Sequence, residues 1–258
     1  MNTNEILKSY GFKKNSANKI QKIIKNGTLI ASYKRMNLNR EQEAIAAYLN
    51  LLTKKGCEAQ LLMQREVFLA KLSTYLQDKS TAGTDYREAV EALMETRPAE
   101  SWPSDLITAR EYYPFWMNDM KMISMFVNEA MFRLKPVVWN PEPLDLGAVW
   151  NNIDQEKFST PESWAIKAYT KAMRDEDAPQ ELIDKRVKLA KMLLVRLRDA
   201  PAVESNIFRI AVDATAPLFN LREARQMFLV VVREFFYFWS ANPNAQDYIL
   251  RPNKASIL

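Results

Sequence analysis

No histidine occurs among the 258 residues, and there are only one cysteine, Cys57, and five glycines. The missing imidazole removes whole classes of chemistry. Ser-His-Asp and Cys-His nucleophiles, HExxH sites and His/Cys zinc sites all need histidine or several thiolates. A single cysteine excludes an intramolecular disulfide and fits a reducing compartment, the cytoplasm. Scarce glycine argues against strands joined by tight turns, and neither GxxxxGK[ST] nor GxGxxG is present to cradle a nucleotide phosphate. The expectation is an all-α protein that is not an enzyme and has no catalytic residue, metal or cofactor. The densest acidic run, Asp175-Glu176-Asp177, stands directly before Ala178-Pro179 and reads as a solvated loop ahead of a helix. The first eleven residues lack the apolar core of a signal peptide. The most apolar late stretch, Met227 to Trp239, is interrupted by Arg233 and Glu234, so no membrane partner is expected.

What is present is helical punctuation. Asn39 is placed to cap a helix from Arg40 to Lys55, which Gly56 would stop. Leu61, Leu62, Arg65, Phe68, Leu69, Leu72, Tyr75 and Leu76 then fall on one helical stripe. A turn over 79–84 leads to a short helix from Asp85 to Glu95, before Pro98. Ser104 is read as the cap of Asp105 to Tyr112, and Pro114 as the opening of a Met-rich helix to Leu134, ended by Pro136. Between 135 and 160 the pattern dissolves around Pro136, Pro141 and Pro143, a linker anchored by Trp139 and Trp150. Thr160-Pro161-Glu162 starts the next helix and Pro179 the one after, to about Asp199. Another runs from about Val203 to Ala214, and Asn220 with Glu223 has capping-box spacing before the last, Leu221 to Trp239. The expected domains are therefore a basic segment 1–38, a helical domain 39–134, the linker 135–160 and a helical domain 161–258 with its tail. No internal repeat or low-complexity stretch is evident.

Charge is the most directional feature. The first forty residues carry nine Lys/Arg against the one acid Glu5, a net +8; the whole chain is +5, so the remainder sums to −3. A basic head on a mildly acidic body is the footprint of a polyanion binder. Asn4 to Tyr10 and Asn15 to Lys25 form two short helix candidates separated by Gly11. On the second, Ala17, Ile20, Ile23 and Ile24 gather opposite Asn15, Asn18, Lys22 and Lys25, with Lys19 on the flank. This helix, glycine turn and more basic helix is similar to a helix-turn-helix, whose second helix enters the major groove. The similarity implies DNA as partner rather than RNA, with asparagines reading adenine edges and Lys13, Lys14 and the other lysines meeting phosphates. Lys34, Arg35 and Arg40 prolong the charge, and the stretch 27–33 would make a short strand in a winged variant. The bland alternative is a helix whose lysines simply face water.

A second basic stripe lies between Leu182 and Arg198, with six bases against Asp184. If Ile183, Val187, Ala190 and Leu194 turn inward, Lys185, Lys188 and Arg196 point out, and a polyanion would bridge both patches; a solvated face is the competing explanation. The last helix is apolar almost all round through Phe228, Phe235, Phe236, Tyr237, Phe238 and Trp239, so it is central in its domain or covered by another subunit. Two further readings stay open: a helical assembly subunit, as homo-oligomer or in a protein complex, and a nucleocapsid or coat protein that wraps RNA.

Overall fold

In the computed structural model the described residues are 29–250, without 78, 129–131, 138, 140, 142–143 and 203. All regular structure among them is helical. Pro161 and Pro179 mark helix starts as the sequence suggests: Pro161 stands in the first turn, where it sacrifices only an N–H that has no intrahelical partner, and Pro179 is the N-cap of the helix from Gln180. The described residues divide into two compact units, residues 29–97 with Ser104–Val137, and Pro98–Pro103 with residues 139–250. The division falls inside the 135–160 stretch.

The first unit contains α1 (Leu29–Lys54), α2 (Ala59–Leu76), α3 (Gly83–Met94), α4 (Trp102–Met117, from its third residue) and α5 (Met120–Asn128). Gly56 closes α1 in the left-handed region (φ 81°), which only glycine enters without a steric cost. The backbone N–H of Gly56 bonds the Thr53 carbonyl and that of Cys57 the Leu52 carbonyl, which satisfies two carbonyls of the last turn. On α2, Leu61, Arg65, Phe68, Leu69, Leu72 and Leu76 are buried at three- and four-residue spacing. The rings of Tyr48, Tyr112 and Phe115 meet edge to face beside them.

The second unit contains α6 (Leu146–Asn152), α7 (Thr160–Asp175), α8 (Gln180–Arg196), α9 (Ser205–Thr215) and α10 (Arg222–Trp239). Asp145 caps α6 by accepting the N–H groups of Gly147 and Ala148 at 2.9 and 3.1 Å. α10 packs on α7, α8 and α9. Phe228, Phe235 and Phe238 are buried within the chain, Tyr169 meeting the last two at 5.6 and 5.4 Å between ring centres. The cover of the apolar last helix is thus intramolecular.

The two units follow one plan, which corrects the expectation of no internal repeat. α1 to α4 correspond in order to α7 to α10. Ala44-Ile45-Ala46-Ala47-Tyr48 matches Ala165-Ile166-Lys167-Ala168-Tyr169, and Tyr48 and Arg65 are spaced as Tyr169 and Arg186 are. Arg110-Glu111-Tyr112-Tyr113-Pro114-Phe115-Trp116 matches Arg233-Glu234-Phe235-Phe236-Tyr237-Phe238-Trp239. Even the left-handed helix ends coincide, Gly56 with Asp177 (φ 55°) and Asn118 (φ 55°) with Ala241 (φ 53°). The match is sparse because packing constrains only every third or fourth position and accepts Tyr or Phe at the same place.

Several boundaries also differ from the sequence expectation. α1 already runs at Leu29, so Asn39 is interior rather than a cap, and helix over 29–33 rules out a wing strand there. Pro114 lies inside the last turns of α4, where the burial of Tyr112, Phe115 and Trp116 outweighs the missing hydrogen bond; the break comes at Asn118. Ser159, not Thr160, caps α7, its N–H and hydroxyl both donating to Glu162 Oε2 at 2.6 and 2.7 Å. Asn220 and Glu223 form no capping box, since α10 begins after Leu221.

Candidate nucleic-acid interface

Each unit buries a Tyr–Arg–Glu cluster on its corresponding helices. In the first, Glu111 Oε2 accepts the Tyr48 hydroxyl at 2.9 Å and Arg65 Nη1 at 2.5 Å, while Glu111 Oε1 accepts the Arg133 N–H at 2.8 Å. In the second, Glu234 Oε2 accepts the Tyr169 hydroxyl at 2.9 Å and Arg186 Nη1 at 2.6 Å, and Oε1 accepts the Leu250 N–H at 3.1 Å. Burial opposes the Arg65 charge, but the Tyr48 and Glu111 oxygens outweigh it and hold its pKa above the ordinary value. Burial likewise pushes the phenols of Tyr48 and Tyr169 up, so both stay protonated and donate. These partners tie α4 to the segment that follows α5, and α10 to the segment that follows it, which is a structural task. Cys57 is buried, its thiol pushed up by that burial and therefore a poor nucleophile. Among the described residues no group of His, Cys, Asp and Glu is arranged to hold a metal ion, and no helix is long and apolar enough to cross a membrane.

The sequence-read bases fare differently from one another. Lys13, Lys14, Asn15, Asn18, Lys19, Lys22 and Lys25, and with them the helix pair, lie outside the described residues; Lys34 and Arg35 fall on α1 with their side chains outside the described set. Arg40 is half-buried, donating to the Trp116 carbonyl with its guanidinium 5.5 Å from that indole centre. On α8, Lys185 is exposed and bonds Glu181 one turn back at 2.7 Å. Lys188 is half-buried, 4.9 Å from the Trp150 ring centre on α6 and 3.6 Å from Asp154. Asp154 also takes Lys191 at 3.0 Å, and these lysines hold its carboxyl below the usual range.

Arg196 departs from the outward orientation expected of it. It is only 7 % exposed and donates to the Thr215 hydroxyl at 3.2 Å and the Ala214 carbonyl at 3.4 Å. A hydrophobic stripe of Ile183, Leu189, Ala190, Leu193 and Leu194 sets the buried sector wide enough to take in Arg186 and Arg196 as well. Arg186 and Arg196 thus belong to the buried sector of α8, while Lys185 stays exposed and Lys188 is half-buried.

The described surface instead presents a feature that counting bases on α8 does not find. Trp164 on α7 is 70 % exposed, and Lys167, Lys171 and Arg174 share its side of the helix. The signal is present in the sequence as a Trp at helical spacing from three bases, hidden when the helix is read for its core stripe alone. The chain matches no protein-family model, no curated protein and no solved structure.

Proposed function

We propose that this chain is a non-enzymatic nucleic-acid-binding protein, with DNA preferred over RNA, whose lysine-rich first forty residues supply the affinity. The observation that carries the reading is the charge division: +8 in those residues against −3 in the remainder. In the body, by contrast, five of the bases already have partners. Arg65, Arg186 and Arg196 are buried, and Lys188 and Lys191 are held by Asp154. The single cysteine fits a reducing cytoplasm. Exchanging Lys13, Lys14, Lys19, Lys22 and Lys25 together for Gln lowers the salt dependence of duplex binding, by a slope of about 0.9 for each phosphate no longer neutralised. Mobility shifts across a salt series measure this, and unchanged affinity and slope refute the reading.

One observation favours assembly as a second role. Met63 and Val67 on α2 are 61 % and 51 % exposed, at positions where α8 carries Asp184 and Lys188. A self-association that Val67→Glu abolishes, seen by light scattering, would establish that role; a monomeric unmodified chain excludes homo-oligomerisation.

A further inference from the structure

The outer face of α7 is the only place among the described helices where a largely exposed tryptophan shares a stripe with several bases. Trp164, Lys171 and Ala168 lie within about 60° of one another around the helix, with Lys167 and Arg174 beside them, at 100° per residue. The exposed charged side chains of α7 are Lys167, Lys171, Arg174 and, at its last residue, Asp175, three bases against one acid. Lys167 and Arg174 have no acidic partner among the described residues, and Lys171 bonds only Asp175, an exposed pair that solvent and salt weaken. Glu162 is engaged by Ser159 at the start of the helix.

The duplication supplies the control. The positions that correspond to Trp164, Lys167, Lys171 and Arg174 are Glu43, Ala46, Asn50 and Thr53, all exposed on α1. The buried residues of α1 and α7 agree, Tyr48 with Tyr169 and Leu52 with Met173. The fold therefore needs neither the indole nor the charge on this face. An exposed indole forgoes the burial that normally stabilises it, so its place beside three bases calls for a ligand that has both a π-face and negative charge.

We infer that the α7 face of Trp164, Lys167, Lys171 and Arg174 binds single-stranded nucleic acid, Trp164 stacking on an unpaired base and the three bases meeting backbone phosphates. This rests on the nucleic-acid reading above and adds the strand class. A duplex keeps its base faces stacked and hidden, whereas every base of a single strand offers one. An acidic peptide would satisfy the bases and leave the indole in water. A lipid surface would call for several apolar side chains at one level, and α7 presents one.

The test uses the full chain and labelled oligonucleotides of about 15 nucleotides: single-stranded DNA, the same sequence as RNA, and the DNA duplex, read by fluorescence anisotropy across a salt series. Trp164→Ala is expected to weaken single-strand binding about ten-fold with the salt slope unchanged, and Trp164→Phe to retain most of the affinity. K167Q/K171Q/R174Q is expected to lower the slope by about 2, at roughly 0.7 per phosphate on single strands. The DNA and RNA arms tell which strand is preferred. All four side chains are exposed, so circular dichroism of the variants is expected to match that of the parent chain. Unchanged single-strand affinity in both sets of variants overturns the α7 platform while the head reading stands. Weakened binding in these variants, with a head variant at Lys13, Lys14, Lys19, Lys22 and Lys25 that binds as the parent does, supports the platform and overturns the head reading. A parent chain that binds no oligonucleotide overturns both, as does Trp164-dependent binding to anionic lipid vesicles in place of any strand.

Discussion

Replacing Glu234 by Leu tests the buried clusters most directly. Glu234 is 5 % exposed and accepts from three donors: Tyr169, Arg186 and the Leu250 N–H. Its removal leaves the Arg186 guanidinium, 8 % exposed, charged and without its carboxylate, and strands a phenol and a backbone N–H beside it. Breaking a buried pair in this way costs about 3–5 kcal/mol. A domain is stable by about 5–15 kcal/mol, so the second unit of this variant approaches unfolding at physiological temperature. Arg186→Met alone strands the carboxylate and costs a similar amount. The double variant R186M/E234L removes both charges for side chains of comparable volume, and most of the stability is recovered, because an apolar pair needs no desolvation. Urea titrations followed by circular dichroism give the four free energies of the cycle. The expected coupling is at least about 2 kcal/mol, well above the few tenths found for independent sites. Additive single costs, or an E234L cost below about 1 kcal/mol, would refute the argument that the charges are held as a mutually dependent group. The corresponding cycle at Arg65 and Glu111 is expected to behave alike in the first unit.

Three smaller perturbations follow from single residues. Glu41 is buried beside Tyr112, and burial raises its pKa from 4.5 to about 7 against the pull of Arg40. A carboxyl raised in the folded state binds its proton more tightly there, so the contribution of Glu41 to stability is highest below pH 4.5 and declines as pH rises through about 7. Glu41→Gln removes this slope, an effect of at most about 3 kcal/mol between the two limits at 1.36 kcal/mol per unit. Melting curves of both proteins at either end of that range measure it, and parallel pH dependences refute it. Ala241 ends α10 in the left-handed region (φ 53°), where a Cβ is strained, so Ala241→Gly is expected to stabilise by roughly 0.5–1 kcal/mol in urea titration. A destabilised variant would show that the strain is absent. Tyr169→Phe deletes one donor to Glu234 while keeping the ring, and is expected to cost about 1 kcal/mol, far less than E234L; equal costs would mean that the phenol, and not the ion pair, holds the cluster.

Much of the helical order is legible in local chemistry. Gly56, Pro161 and Pro179 mark helix ends through their own backbone preferences, the glycine by tolerating a positive φ and the prolines by fixing theirs, without help from tertiary contacts. Where neighbours decide, local reading fails. Pro114 looks like a helix start, yet the aromatic packing of Tyr112, Phe115 and Trp116 carries α4 through it. Arg196 sits where a wheel drawn on four apolar residues points outward, but α8 is buried over a wider arc and takes the guanidinium with it. The Arg–Glu pairs are invisible locally for the same reason: Arg186 and Glu234 are 48 residues apart and their pairing is a property of helix packing.

The duplication changes how the remaining surface is weighed. Two copies of one helical plan must each satisfy the same core, and they do so with the same residue types at Tyr48 and Tyr169, Arg65 and Arg186, Glu111 and Glu234. Outward positions are free of that constraint, and there the copies part. α2 exposes Met63 and Val67 where α8 has Asp184 and Lys188, and α7 exposes Trp164 where α1 has Glu43. An apolar or aromatic side chain in water gains nothing for the monomer that a polar one would not. The sister unit folds without these residues, so the core does not require them, and replacing Trp164 by Glu or Val67 by Lys is expected to change stability by no more than about 0.5 kcal/mol.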